Sequence, residues 1–273
     1  MYPLIIISRN RKSCVESIVN FALGQELVSK IIIMDMNSTF PPMIEYLEGV
    51  QSARVVVEHL ENIGPRRLWI DNRFIKAVSE KGFFLTDGDI DLSETSELVF
   101  EELVRVSAKY KYFRKIGCAL RIDNLPANLE KSELIKESES DNWLKYRKIA
   151  KNISLAPIDT TLAFYSKYTK DFYHWPAIRV SGNCSVMHKP WYVDYERLTL
   201  EESFYIETAK GWGGVGTSAE RGKRQEDVNS SDTLLHRYSF LIRFLLFITP
   251  KFGSFVISKF VNSRNPDSAI VTT

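Results

Sequence analysis

The run Thr86-Asp87-Gly88-Asp89-Ile90-Asp91 sets three carboxylates at alternate positions, directly after a short apolar segment. Two carboxylates flanking one small residue can both reach a hard divalent cation, whose other positions go to diphosphate oxygens and water. Gly88 is expected to give the turn its freedom and to let a ligand approach the backbone. An EF-hand loop is excluded, because the sixth position would be Leu92 where glycine is needed and the twelfth Leu98 where glutamate is needed. A phosphatase that forms an aspartyl phosphate also carries D-x-D after a strand, normally the first, with Thr or Val two places on where this chain has Asp91. The pattern is short, so an acidic turn satisfied by water and neighbouring amides stays open beside the cation site.

Downstream, Val186-Met187-His188-Lys189-Pro190-Trp191-Tyr192 is the segment richest in chemistry. A neutral imidazole can complete a cation's coordination sphere, and an adjacent ammonium can neutralise a departing anion. Where a hydroxyl is to attack, a carboxylate must take its proton. The candidates at expected strand ends are Asp159, in Ala-Pro-Ile-Asp-Thr-Thr, and Asp123, in Leu-Arg-Ile-Asp-Asn-Leu-Pro. Asp123 is favoured as a strand-to-turn cap, which leaves Asp159 as the base or as a clamp on the attacking molecule. Trp143, Trp175, Trp191 and Trp212, with Tyr165, Tyr173, Tyr192 and Tyr195, crowd this half; such rings stack on sugar faces, although most are expected in the core. Gly211-Trp212-Gly213-Gly214-Val215-Gly216 lacks the lysine of a phosphate loop and reads as a lid or as a plain linker.

These residues need a frame. Residues 4–7, 31–34, 54–57 and 83–86 are β-branched or aromatic apolar runs, the pattern of strands buried on both faces of a parallel sheet. Ser13 and Glu16 predict a capping box for a helix carrying Val15, Ile18, Val19, Ala22 and Leu23 and stopped by Gly24. A second helix is expected after Pro65, with Leu68, Trp69, Phe74, Ile75 and Val78 on its apolar side. Alternation of strand and helix predicts a Rossmann-like α/β half-domain whose strand ends carry the ligand. Asp87 and Asp89 stand at such an end. Further on, a helix is expected over 97–110, a strand near 116–122, an exposed loop or solvated helix over 130–141, strands within 152–166 and 177–187, and a helix over 200–209.

With 273 residues and 44% hydrophobic content, the chain can bury one substantial core. Its 36 basic and 34 acidic residues leave a formal charge of +2, too balanced for a protein that works by neutralising nucleic-acid phosphates. Cys14, Cys118 and Cys184 form no CxxC pair, so no disulfide framework or structural zinc site is indicated. The N-terminus lacks the features of a signal peptide, and a cytoplasmic location is expected. Residues 233–273 pair phenylalanine-rich runs with Arg237, Arg243, Lys251, Lys259 and Arg264. No acidic residue falls between Thr233 and Asn265. Arg243, Pro250 and Lys251 interrupt every window long enough to span a bilayer, so two amphipathic helices lying on an anionic membrane surface are expected, beside the alternative of a packed helix pair or subunit interface.

The series PLIIISRNR, the strand ending in Asp35, the ENIGPRR turn and FFLTDGDIDL resembles the donor-binding half of GT-A glycosyltransferases, over residues 3–92 and especially the family-2-like enzymes of bacterial surface-polysaccharide synthesis. The resemblance implies a GT-A fold, with a mixed, mostly parallel sheet and flanking helices. It divides the chain into a catalytic domain over 1–232, with a donor half over 1–92 and an acceptor half over 93–232, followed by the C-terminal segment. It implies Mn2+ or Mg2+ held by Asp87 and Asp89, a nucleoside diphosphate sugar (UDP-sugar favoured) as donor, and a saccharide or lipid-linked saccharide as acceptor. By position Ser8, Arg9, Asp35, Asn62 and Gly64 would contact the nucleoside, and Asp87 the donor diphosphate. The His-Lys-Pro-Trp segment weakly resembles that of retaining family-8 enzymes, which assigns His188 to the metal and Lys189 to the diphosphate. Where family-2 chains carry D-D-G-S/T after the second strand, this one has Asp35-Met36-Asn37-Ser38-Thr39, which leaves base selectivity open. A homo-oligomer, a catalytically silent scaffold of the same fold and a nucleotidyltransferase are the other readings carried forward.

Overall fold

A computed structural model describes residues 1–63, 68–78, 80–127, 131–140, 142, 148–158, 161–168 and 177–209. Gly64, Trp143, Asp159, Tyr173, Trp175, Trp212, the glycine-rich segment 211–216 and the amphipathic segment 233–273 therefore lie outside the described residues.

The chain opens with β1 (Tyr2–Ser8), α1 (Lys12–Leu23), β2 (Val28–Met36), α2 (Pro41–Gly49), β3 (Val55–Leu60), α3 (Asn72–Ala77) and β4 (Phe83–Asp87). Next come β5 (Ile90–Asp91), α4 (Val99–Lys109), β6 (Lys115–Cys118), α5 (Lys131–Ser140), β7 (Lys148–Ala150), β8 (Ile153–Leu155) and β9 (Ala163–Tyr165). The last elements are β10 (Ile178–Val180), β11 (Met187–His188), a 3₁₀ turn (Lys189–Tyr192) and α6 (Leu200–Thr208). Nine strands form one sheet in the order β3-β2-β1-β4-β9-β6-β10-β8-β7, in which only β8 and β9 run against the rest. This is the mixed, mostly parallel sheet with flanking helices that the resemblance implied, and its first half is the parallel unit expected from the alternating pattern. β5 and β11 pair separately as a short antiparallel ribbon.

Alternation along β1 loads both faces of the sheet. Leu4 and Ile6 join a core with Val15, Ile18 and Val19 of α1 and Phe100 and Leu103 of α4; Ile5 joins Met34, Phe74, Phe83 and Leu85 on the other face. Burial on both sides explains why these strands read as continuous apolar runs. The helix opening on Pro41-Pro42, whose prolines sit at its first turn and whose Met43 and Leu47 are buried, was not anticipated. The apolar stretch expected as one helix ends a turn at Leu68–Trp69 and restarts as α3, whose N-terminus Asp71 caps through the Arg73 amide. The polar stretch over 130–141 resolves into the solvated helix α5.

Two local expectations are corrected. Ser13 and Glu16 form no capping box: α1 starts two residues earlier, with Arg11 in place of Ser13 at its cap position and no side-chain cap of its own. Glu16 pairs instead with Lys12 at 2.7 Å. The cap comes from afar, since the Ser13 amide donates to Glu201 Oε2 at 2.9 Å. Gly88 also serves differently from expectation, because positive φ among the described glycines is confined to Gly82 and Gly182. Space is what it supplies: a Cβ there would stand 2.6 Å from Ser8 Oγ and 3.0 Å from Val15 Cγ2.

Lys115 is fully buried in mid-sheet, donating to the Ile158 carbonyl at 2.7 Å with its ammonium 5.1 Å from the Tyr165 ring centre. It ties β6 to the residue just before Asp159.

Candidate active site

The parallel registers bring the predicted residues to one edge. Ser8 stands beside Asp35, Ile7 beside Asp87, and Asp35 beside His59, so the carboxyl ends of β3, β2, β1 and β4 finish together. The Gly88 amide donates to the Ile7 carbonyl at 2.7 Å, which presses the D-G-D turn against Ser8. In this class of sheet the carboxyl edge is where ligands sit.

The ribbon supplies the other half. Pairing of Ile90 with His188 and Asp91 with Met187, and a 2.9 Å bond from the Lys189 amide to the Asp89 carbonyl, fold the His-Lys-Pro-Trp segment back onto the turn. His188 Nε2 lies 3.4 Å from Asp89 Oδ2, and Lys189 Nζ lies 3.3 Å from Asp91 Oδ2. The imidazole stands edge-on to buried Trp191, with ring centres 5.1 Å apart, which fixes its plane. Burial pushes the Asp89 carboxyl up, but the charge and hydrogen bond of His188, and then the charge of Arg11, outweigh it and hold the group below its ordinary value. Asp91 is shifted the same way: burial raises it, and the Ser93 amide and Lys189 more than offset that.

Several buried atoms here have no hydrogen-bond partner among the described residues: Ser8 Oγ, Arg11 Nε, Asp89 Oδ1 and His188 Nδ1. Buried polar atoms are nearly always satisfied, so a cluster of such atoms around one turn fits a site completed by a ligand. Among the described residues no group of three His, Cys, Asp or Glu side chains could hold a metal unaided. A cation that keeps several waters and is bound by one or two carboxylates plus phosphate oxygens needs no such group, so the residues present fit a divalent ion of that kind.

The remaining candidates divide. Asp35 is buried and already engaged, accepting from the Ser38 amide at 3.2 Å and lying 3.1 Å from His59 Nδ1, as an aspartate that opens a turn does. Arg9 donates to the Thr208 carbonyl at 3.2 Å. Asn62 follows β3, half-buried. Asp123 accepts from Arg121 at 3.3 Å, and that bond holds its carboxyl below the ordinary value, which weakens it as a base. Trp191 and Tyr165 are core, Tyr165 stacking on Phe83 with ring centres 4.9 Å apart; Tyr192 donates to Asn124 Oδ1 at 2.6 Å. Burial pushes the Cys14 and Cys184 thiols up to about 11, so neither is a nucleophile at neutral pH.

Three features escaped the sequence. His59, set aside for want of context, is the neighbour of Asp35. α6 reaches the carboxyl edge of the sheet, with Asn10 Nδ2 donating to Thr208 Oγ1 at 3.1 Å and Phe40 meeting Phe204 at 5.0 Å. The Arg11 guanidinium lies 3.7 Å over the Tyr205 ring. The helix itself was expected over 200–209, and Thr199 and Glu202 form a true capping box at its start in Thr-Leu-Glu-Glu; its contacts with Asn10, Arg11 and Phe40 were not. A second concavity, about 560 Å3, is lined by Glu94, Arg121, Asp123, Gly182, Asn183 and Ser185 beside the ribbon.

No protein-family model and no curated protein matches the chain. Among solved structures it is similar to a mannosyltransferase from Pyrobaculum calidifontis in complex with GDP-Man and Mn2+, with TM-score 0.43 and 12% identity over 80% of this chain and 64% of that one. It is also similar to glucosyl-3-phosphoglycerate synthase from Mycobacterium tuberculosis in complex with Mn2+, UDP and glucosyl-3-phosphoglycerate, with TM-score 0.38 and 20% identity over 60% and 56% of the two chains. The chain thus spans less than two thirds of the length of either. Likeness at this level assigns neither substrate nor residue role. Among the described residues no helix is long and apolar enough to cross a membrane.

Proposed function

We propose that the protein is a metal-dependent GT-A glycosyltransferase of the surface-polysaccharide type, moving a monosaccharide from a nucleoside diphosphate sugar, with UDP-sugar favoured, to a hydroxyl of a glycan or lipid-linked saccharide. The observation that carries this reading is Asp89: a carboxylate at the sheet's carboxyl edge, with one oxygen facing His188 and the other buried without a partner. That solved structures of similar fold hold Mn2+ with nucleotides is a fact about those proteins; the cation here is inferred from the carboxylates of this chain.

Asp87 and Asp89 would hold Mn2+ or Mg2+ together with water and diphosphate oxygens, and His188, expected as a third ligand but forming no three-side-chain set with them, would support Asp89 from beside it with the ring plane that Trp191 sets. When bound, the ion would neutralise charge on the diphosphate as it leaves. Lys189, tethered to Asp91, places a second positive charge beside the same turn. Ser8, Arg9, Asp35, Asn62 and Gly64 form the nucleoside side, with Asp35 oriented by Ser38 and His59. The concavity at Arg121 offers an acceptor a polar lining of Glu94, Arg121, Asp123, Asn183 and Ser185, and Asp159, by its position in the sequence, is the base or acceptor clamp. Residues 233–273 would rest on an anionic membrane surface near a lipid-linked acceptor, or bury in a homo-oligomer.

The test is a thermal-shift panel of nucleotides and nucleotide sugars with and without Mn2+, since a ligand that binds only the native state raises the melting temperature. A diphosphate nucleotide that stabilises the protein only with Mn2+, together with slow metal-dependent hydrolysis of its sugar ester, is the expected result. No stabilisation by any nucleotide would overturn the reading, and binding without hydrolysis or transfer would leave a silent scaffold.

A further inference from the structure

Two arginines among the described residues are 7% exposed, and they are served very differently. Arg179 is satisfied: Nε donates to the Pro157 carbonyl at 2.7 Å and one terminal nitrogen to Glu139 Oε2 at 2.6 Å. Arg11 has a flat ring beneath it and no acceptor. Its guanidinium sits 3.7 Å over Tyr205, its Nε is buried without a hydrogen-bond partner, and no carboxylate among the described residues forms an ion pair with it. Glu201, one turn of α6 before Tyr205, is committed to the Ser13 amide and hydroxyl.

A buried Nε–H donor with no acceptor among the described residues is costly. Stacking on an aromatic face offsets part of that cost and fixes the plane of the fork, but it satisfies no N–H. The place is also informative. Arg11 follows β1 by three residues, its charge is felt at Asp89, and Ser8 Oγ, another buried and unpartnered atom, borders the same turn. A planar fork held rigid beside a cation-binding carboxylate is the arrangement that receives two oxygens of a phosphate group.

We propose that Arg11, held flat by Tyr205, is a diphosphate-binding residue that grips the donor from the side opposite the cation. This rests on the reading of the site as one for nucleotide sugars and extends it to residues that reading leaves unused. Tyr205 is a positioning residue: it touches Arg11, and its effect passes through the guanidinium.

The experiment is calorimetric titration of the full-length protein with UDP, GDP, UMP, GMP and inorganic pyrophosphate, all with Mn2+, for wild type, Arg11→Gln, Arg11→Lys and Tyr205→Leu. Arg11→Gln should weaken the diphosphates and pyrophosphate about 10- to 100-fold while changing the monophosphates less than about 3-fold. Arg11→Lys, which keeps the charge but not the fork, should fall between wild type and Arg11→Gln, and Tyr205→Leu should weaken the diphosphates about 5-fold. Circular dichroism confirms folding; if Arg11→Gln does not fold, Arg11→Lys and Tyr205→Leu decide by the same ratio. Should wild type bind none of the five probes, the nucleotide-sugar reading itself falls and Arg11 with it. Should wild type bind diphosphates while the variants bind them equally well, or lose monophosphates and diphosphates alike, the assignment of Arg11 is overturned and the transferase reading stands.

Discussion

Arg11 and Arg121 stand at two sites of the same molecule and are treated in opposite ways. Arg121, at the concavity beside the ribbon, is ion-paired with Glu94 and with Asp123 and is partly open to solvent. Arg11, at the donor edge, is more deeply buried and has only an aromatic face. A cation clasped by two carboxylates presents a locally neutral or acidic surface, suited to hydroxyls and poorly suited to a phosphate. One that is desolvated and left unmatched gains most when an anion arrives. On the proposed reading, the difference would separate an edge that handles phosphate from a pocket that handles hydroxyls, a distinction that neither residue type nor net charge reveals.

The sharpest way to break that division is Asp89→Ala. It should lower transfer by at least about 100-fold, the scale for losing a charge-stabilising group at the reacting centre, and abolish Mn2+-dependent nucleotide binding, with an unchanged circular dichroism spectrum. A folded variant that still binds nucleotide through Mn2+ would remove the donor edge from this account. His188→Ala should lower kcat about 10- to 100-fold, in the range seen when a metal site loses supporting interactions, and leave the acceptor KM nearly unchanged. A raised acceptor KM with normal kcat would move His188 to the pocket side. Arg121→Ala should raise the acceptor KM about 10-fold, as loss of one well-made polar contact does, with nucleotide affinity within about 2-fold of wild type. If nucleotide affinity collapses instead, the two sites are one.

Arg121→Ala carries a pH signature too. Asp123 is held below its ordinary value chiefly by the hydrogen bond from Arg121. A depressed carboxyl contributes stability above its unfolded pKa and loses it as pH falls through the lowered one. The melting-temperature gap between wild type and variant should therefore narrow as pH drops below about 4; a gap that widens in acid would show that the pair is not what Arg121 stabilises. Smallest of all, Glu201→Gln should cost about 1 kcal/mol in urea denaturation, the usual scale for a helix cap. A loss of several kcal/mol would mean that Glu201 supports more than the start of α1.

The parallel strands of the N-terminal half were legible because their signals are local. Apolar runs announce doubly buried strands, and a carboxylate pair after one of them announces a strand end. His188 was noticed for its company, and the ribbon register explains why that company folds back on Asp89. What could not be read is what depends on contacts between distant segments. The α1 cap comes from Glu201, 188 residues away from Ser13, so the local Ser13–Glu16 pattern misled. Gly88 was read for its backbone freedom, whereas its role is to leave room for Ser8 and Val15. His59 gains its meaning only from a cross-strand register, and Arg11 only from a ring that α6 lays over it.

That helix differs from the others in how it is held. None of the residues of α6 is buried, and it stays in place through Glu201 at one end, Thr208 at the other, and the rings of Phe204 and Tyr205 between. An element with little apolar burial opens at a fraction of the global unfolding free energy. Its amides should exchange with deuterium orders of magnitude faster than those of β1, and a donor that engages Arg11 should slow them without touching the helix. The sheet would then be the slow clock of the molecule and α6 the fast one, with nucleotide binding read out as a change in the second alone.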